Sequence, residues 1–334
     1  MSPKFITHAA SPSSTVMREG GRVGSTCVAT VAIVLAGQSS STRPSALSRS
    51  LGLPTAALPI SAERNLAECW VRRLVDAGFR GTVVLAVAQE SDRSFYAQIS
   101  VPDTVRLEVR VDSSGHRGAG GTLGDSWRER APSMDASARL GGALVVEASS
   151  SPNFDFARLF ASIGRGLGAV VGAAADGTPA GISWFSEEAL ALIPAVGFFD
   201  LKEQFVPAIV AAGRRVEATM GTAESCRIAD LESYLRTIAI LQAEGTLAVA
   251  PDAVIEPGAV VGAGSIVCRG AVVERGALVV GTAVLPGARV CADAVVARSI
   301  VPPGSLVPRG YLVVDEVFGA LGSSSRLGTE GSAS

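Results

Sequence analysis

From Val254 onward an aliphatic side chain returns at every sixth position: Val254, Val260, Ile266, Val272, Leu278, Val284, Val290 and Val296. The residue before each is small (Ala253, Ala259, Ser265, Ala271, Ala277, Ala283) until Arg289 breaks the run. Gly258, Gly264, Gly270 and Gly276 recur at the same interval. A period of six suits neither an α-helix, which repeats near 3.6, nor a half-buried strand, which repeats at two. It suits a chain wound as a triangular coil, with about one hexapeptide per flat face, one inward residue per face and small residues at the corners. Residues 247–314 are therefore expected to form a left-handed parallel β-helix. The pattern slips near Arg298, where SIVPPGSLVPRG restarts it two residues early and reads as the closing coil. So short a β-helix is expected to have exposed coil ends, covered by another subunit or by the rest of the chain.

In a chain of 334 residues that repeat leaves room for a second domain. Residues 1–24 are polar and rich in Ser and Gly, and read as a mobile leader; residues 315–334 read as a carboxy-terminal tail. Between leader and repeat, residues 25–240 alternate apolar runs with helical patterns. Strands are expected at Val28–Leu35, Thr82–Val87, Val105–Val111, Ala143–Val146 and Gly181–Phe185. Helices are expected over Asn65–Ala77, Phe156–Ile163, Ser186–Leu192, Leu201–Ala212 and Ile228–Leu241. In Asn65–Ala77 the residues Leu66, Cys69, Trp70, Leu74 and Ala77 share one stripe, and Gly78 is the expected stop. Such alternation predicts an α/β domain, Rossmann-like, with a mostly parallel sheet covered on both faces.

Bulk composition removes several functions. A formal net charge of -2 with 18% charged residues offers no basic surface for nucleic acid. The five cysteines are scattered, with no CxxC pair, so neither a zinc site nor a disulfide framework is expected; a reduced, cytoplasmic compartment is the plain reading. The apolar run CVATVAIVLA is too short to span a bilayer, which needs about 20 residues. It suits a buried parallel strand instead, and no membrane partner is expected.

Several segments of the α/β region carry a resemblance. Residues 35–60, LAGQSSSTRPSALSRSLGLPTAALPI, resemble LAGGxGTRLxPLT followed by PKPLxPI, and residues 65–79 resemble the helix that follows. GAGGTL (Gly118 to Leu123) resembles GTAGAL. GGALVVEASSSPNFDFARLF resembles a strand ending in NGD, and AGISWFSEEALALIP resembles NAGIYVFSPEVLDLIP. FDLKEQFVPAIVAAGRRV resembles FDIEKDLIPxLLxxGxxV, and RIADLESYL resembles DIGTPEDYL. Each motif alone is weak; in this order they resemble the sugar-1-phosphate nucleotidyltransferases, that is, NDP-sugar pyrophosphorylases such as the mannose-1-phosphate guanylyltransferases. Several of these also carry a β-helix. The likeness spans about residues 28–314.

The resemblance implies a protein that joins a sugar 1-phosphate to a nucleoside triphosphate and releases pyrophosphate. That chemistry rests on charge neutralisation and alignment. It places nucleotide contacts at Ala36, Gly37, Gln38, Thr42, Arg43, Gly118, Gly120 and Gly121. GAGGTL reads equally well as a turn entering a helix. The catalytic positions are degenerate. The PKP lysine falls on Thr55, the NGD aspartate on Ser149 and the second metal-binding aspartate on Arg227. The interval expected to hold an EKP lysine, GLGAVVGAAADGTPAG, has no lysine. No metal-ligand set and no cofactor are therefore expected.

Other chemistries find less support. Acyltransferases with this repeat use a coil histidine as base, yet His8 lies in the leader and His116 in the α/β region. Ser149, Ser150 and Ser151 lack a GxSxG context, and Asp155 reads as a helix cap. Lys202, Glu203, Asp125 and Glu129 read as solvated helix charges. The leading reading is a catalytically silent relative that binds a nucleotide or nucleotide sugar. It would regulate or scaffold an active pyrophosphorylase, as a homo-oligomer or hetero-oligomer. The alternatives are an active enzyme that holds magnesium through Glu147 or Asp155, and a purely structural assembly subunit.

Overall fold

A computed structural model describes residues 29–37, 45–112, 117–134, 141–164 and 166–319. The sequence VAIVL forms strand β1 (Val31–Leu35), buried on both faces as a central parallel strand must be. Around it stand β2 (Gly81–Val87), β3 (Val105–Val111), β4 (Ala143–Glu147), β5 (Leu167–Ala173), β6 (Pro179–Phe185) and β7 (Arg215–Met220). The seven-stranded order is β3-β2-β1-β4-β6-β5-β7, and β6 runs antiparallel to both its neighbours, β4 and β5. Val28 lies outside the described residues. The remaining expected strands are present, and the sheet is mostly parallel.

Helices cover both faces: α1 (Ala46–Leu51), α2 (Leu66–Asp76), α3 (Gly118–Arg130), α4 (Phe156–Ser162), α5 (Glu187–Leu190), α6 (Val206–Ala211) and α7 (Leu231–Ala243). The stripe read from the sequence of α2 is its buried face, with Leu66, Cys69, Trp70 and Leu74 inside. Asn65 accepts the Glu68 N–H at the amino end, and Gly78 follows the carboxyl end at φ 90°. Alternation along β1 splits its side chains between two cores. Ala32 and Val34 join Trp70, Phe156 and Tyr234 on one face; Val31, Ile33 and Leu35 join Leu123, Phe185 and Phe205 on the other.

Two helical expectations break for local reasons. Leu201–Ala212 is not one α-helix but a π-type turn (Leu201–Phe205) followed by α6. Pro207 has no N–H to donate to the preceding turn, so the regular ladder restarts around it. Helix α7 begins at Leu231, where Asp230 and Ser233 form a reciprocal cap, so Ile228 lies before the helix.

The repeat region forms a parallel β-helix of short strands. These are β8 (Val254–Ile255), β9 (Val260–Val261), β10 (Ile266–Val267), β11 (Val272–Val273), β12 (Leu278–Val280) and β13 (Ala283–Val284). They continue as β14 (Arg289–Val290), β15 (Val295–Ala297), β16 (Ile300–Val301), β17 (Leu306–Val307) and β18 (Leu312–Val314). They stack into three sheets, β10-β13-β16, β17-β14-β11-β8 and β18-β15-β12-β9. Gly258, Gly264, Gly270 and Gly276 all hold positive φ, as the sharp corners require.

The inward register differs from the sequence expectation. Val254, Val260 and Leu278 face outward, while Val267, Val273 and Val279 fill the interior. From Val284 the expected series is the inward one, because the side entered at Thr282 is one residue short. The coil from Val254 to Val272 takes 18 residues, and those from Val272 to Arg289 and on to Leu306 take 17 each. The shortening recurs at Arg298, by one residue and not two. Small residues two positions before each aliphatic, such as Ala271, Ala277, Ala288 and Ala294, are buried too. Each face therefore turns a small and a large side chain inward, as an extended strand with period two does.

One sheet of the β-helix packs on the α/β domain: Ile266, Cys268, Ala283, Leu285 and Ile300 share a buried cluster with Trp70 and Tyr234. The last coil is closed within the chain, since Val317 bridges Ile300 and Phe318 meets Tyr311 edge-on at 6.0 Å. Among the described residues no helix is long and apolar enough to cross a membrane.

Candidate functional site

In an open α/β sheet a ligand crevice forms beyond the carboxyl ends of the strands, where the strand order reverses. Here β2 and β3 lie to one side of β1 and β4 lies to the other. The reversal therefore opens above Leu35–Ala36–Gly37 and Glu147–Ala148–Ser149. The Ala36 and Gly37 N–H groups both donate to Ala86 O, at 2.9 and 2.7 Å, and Ala148 N donates to Leu35 O at 3.2 Å. A side chain at Gly37 would put a Cβ 2.9 Å from Ala88 N, so glycine is required for the chain to leave β1 this close to β2. Gln38, Thr42 and Arg43 lie outside the described residues, as does His116.

Beside this edge lies a cleft of about 420 Å³, with Gly37, Ser48, Arg49, Gln89, Asp92 and Phe95 among its walls. Helix α1 forms one wall. Ser45 accepts the Ser48 N–H at its start, and Gly52, at φ 65°, ends it. Thr55, where the sequence resemblance expects a lysine, lies next to this helix; its hydroxyl hydrogen-bonds that of Ser48 at 2.8 Å. Arg49, Gln89 and Asp92 were not legible as site residues, because no motif flags them. Gln89 and Asp92 cap a short helical turn reciprocally and reach the cleft through tertiary placement alone.

The loop leaving β4 brings Ser149 and Arg227 together. Ile228 N donates to Ser149 O at 2.7 Å, and Ser150 bridges Arg227 in an antiparallel pair. Arg227 is exposed and Ser149 half-buried. The loop is held tightly. Trp70 Nε1 donates to Ser150 O at 3.1 Å, Ser151 Oγ donates to Asn153 Oδ1 at 3.0 Å and accepts from Cys226 N at 3.0 Å. Asp155 accepts the Ala157 N–H and so caps α4. Glu147, the acid at the end of β4, is paired with Lys202 Nζ at 3.0 Å. Lys202 is thus not the purely solvated charge that its helical setting suggests. Asp125 likewise meets Arg128 at 2.6 Å and Arg117 at 3.3 Å.

Gly118, Gly120 and Gly121 occupy the first turn of α3, where the chain's own segment packs on them. A Cβ at Gly118 would lie 2.9 Å from the Phe198 ring, and one at Gly120 would lie 2.9 Å from Phe199 O. One at Gly121 would fall 2.5 Å from the Arg117 Cβ. Phe199 N donates to Arg117 O, and Gly121 N to Phe199 O. These contacts alone require the glycines, whether or not a base also approaches.

Near the cleft, Tyr96 is buried, and burial raises its phenol well above the usual range; its hydroxyl has no hydrogen-bond partner among the described residues. Burial also pushes the Cys69 and Cys268 thiols up to about 12, so neither is a ready nucleophile. Cys69, Cys226, Cys268 and Cys291 are free thiols. Among the described residues no group of three or more His, Cys, Asp or Glu is placed to hold a metal ion.

No protein-family model matches the chain, and no curated protein matches it. Among solved structures the chain is similar to a UDP-glucose pyrophosphorylase from Acinetobacter baumanii. The identity is 14% and the TM-score 0.49, over 65% of this chain and 94% of that one.

Proposed function

We propose that this chain is a nucleotidyltransferase-like protein that binds a nucleotide or nucleotide sugar above the β1–β4 edge without transferring it. It would serve an active pyrophosphorylase as a regulatory or scaffolding partner. One observation carries the reading. The two positions where the resemblance calls for metal-binding aspartates are neighbours on the backbone, and they hold Ser149 and Arg227. The remaining acid at that edge, Glu147, is already neutralised by Lys202.

Magnesium is the ion this chemistry would use, as a hard cation bound by oxygen ligands. A serine, an arginine and an ion-paired glutamate do not suit it. Losing one preorganised electrostatic group costs roughly 10²–10³ in turnover, and effects within one site do not simply add. Replacing both aspartates and both lysines removes the means of offsetting triphosphate charge.

The test combines two measurements on the purified chain. Pyrophosphate release, assayed across sugar 1-phosphates and nucleoside triphosphates with magnesium, is expected to stay at background. Calorimetry with nucleoside triphosphates and nucleotide sugars in the absence of magnesium is expected to show binding. Turnover that disappears on mutation of this edge would refute the reading, and so would the absence of any nucleotide binding.

A further inference from the structure

Of the 29 Lys and Arg residues in the chain only two are lysines, Lys4 and Lys202, and Lys202 is the only lysine among the described residues. Every other positively charged side chain among them is an arginine. The difference decides what the cation can do. A guanidinium forks onto one carboxylate and stays there, as Arg298 does on Asp315 with two contacts of 2.6 Å. An ammonium is a compact charge with three donors that turn freely, so it can hold a carboxylate and a second anion together.

The Lys202 ammonium stands where three segments of the sheet's carboxyl edge converge. It lies 3.0 Å from Glu147 Oε1 and 3.2 Å from Glu147 Oε2. Glu147, the last residue of β4, is in register with Leu35, the last of β1. The residues just before Lys202 lie on the first turn of α3. Gly121 N donates to Phe199 O, and a Cβ at Gly120 would meet the Asp200 carbonyl carbon at 3.3 Å. The turn that carries the lysine is fixed at its base: Asp200 Oδ1 accepts the Lys202 and Glu203 N–H groups at 2.7 and 2.8 Å, and Gln204 Oε1 accepts the Asp200 N–H at 2.7 Å. Asp200 therefore serves the turn, and Glu147 holds the ammonium. The Lys202 side chain is 53% exposed and that of Glu147 only 17%, so the pair turns its positive member to the open side.

We infer, on the reading that a nucleotide binds at this edge, that Lys202 meets its diphosphate, with Glu147 as the counter-ion that positions the ammonium. Thr55 stands where the resemblance expects a lysine, and the ammonium comes instead from a different element, the π-type turn. A phosphate oxygen accepts one ammonium donor while the others stay on Glu147, and no covalent bond is made or broken. The neighbouring carboxylate repels the same phosphates, so the pair holds them less tightly than an ammonium alone would. One half-exposed ammonium retains a diphosphate without supplying the charge that transfer requires.

Calorimetry on the full chain without magnesium, with nucleoside diphosphates and nucleotide sugars of each common base, tests it. Lys202→Ala is expected to weaken binding by about 10- to 100-fold in Kd, as for loss of a hydrogen bond to a charged group. Glu147→Gln is expected to act in the opposite direction and tighten binding about threefold to fivefold, because the repelling charge is gone. A pair that only braced the loop would lose affinity from either side. Circular dichroism melting shows whether each variant folds, and Lys202→Gln replaces Lys202→Ala if that one does not. Wild-type affinity retained in Lys202→Ala overturns this assignment alone, as does weaker binding by Glu147→Gln. A wild-type chain that binds no nucleotide overturns the nucleotide reading as well.

Discussion

Gly181→Ala is expected to loosen the β4 loop, and the size of the effect follows from two geometric facts. Gly181 lies in β6 at φ 74°, where an L side chain costs about 1–2 kcal/mol. An added Cβ would also lie 2.2 Å from Ser150 Oγ and 2.5 Å from Ser150 Cβ. Ser150 has little room to retreat, because its carbonyl accepts the Trp70 indole N–H and its backbone bridges Arg227. Overpacking of this kind costs about 1–3 kcal/mol, so the variant should lose roughly 2–5 kcal/mol. That is a large share of the ~5–15 kcal/mol typical of a folded domain. Urea unfolding followed by tryptophan fluorescence measures it, since Trp70, Trp127 and Trp184 are all buried in the α/β domain. The double variant Ser150→Gly, Gly181→Ala removes both clashing atoms and leaves Glu147 O at an ordinary 3.4 Å. Relative to Ser150→Gly alone it should cost only the conformational ~1–2 kcal/mol. The reasoning fails if Gly181→Ala costs less than about 1 kcal/mol, or if Ser150→Gly leaves its cost unchanged.

Further outcomes follow from the same structure. Val279→Ala, at a fully buried interior position, should lower the melting temperature by an amount equivalent to about 2 kcal/mol, while Val260→Ala, exposed on the coil, should change it little. Equal effects would refute the inward register. Trp70→Phe should cost about 1–3 kcal/mol in urea unfolding, because Ser150 O loses its buried donor. The Cys69 and Cys268 thiols titrate near 12 in the fold against an ordinary 9.0, so the unfolded chain releases these protons first. Their contribution is full below pH 9 and declines from there towards 12, by about 1.4 kcal/mol per pH unit per thiol. Urea midpoints at alkaline pH should therefore fall less steeply in Cys268→Ala than in the wild type.

What was legible in the sequence was whatever repeats or is buried on both sides. β1 reads as VAIVL because a central parallel strand meets apolar neighbours on each face. The β-helix announces itself because each coil must present the same side chains to the coil above. The strands β5 and β7 escaped notice for opposite reasons. In β5 glycine replaces the expected bulk: a Cβ at Gly168 would sit 2.5 Å from Ile209, and one at Gly172 would sit 2.6 Å from Ile182. The packing there is so close that the hydrophobic signal is diluted. In contrast, β7 is an edge strand, mostly exposed, and its RVEATM reads as surface. The slip of register in the β-helix was hidden because both residues of each Val-Val pair are aliphatic. Only burial separates Leu278 from Val279.

The candidate site was legible position by position but not as chemistry. Ser149 and Arg227 stand far apart in the chain, and pairing across the loop makes them neighbours. Lys202 looks like a solvated helix charge until the π-type turn brings it to Glu147. That ion pair is informative about charge balance. At partial exposure it contributes at most about 1 kcal/mol to stability. Its consequence is electrostatic: it offsets the Glu147 carboxylate at the β4 edge. A magnesium–triphosphate site requires carboxylates left free to meet the cation and ammonium groups around the phosphates, and Glu147, held by Lys202, is not such a carboxylate.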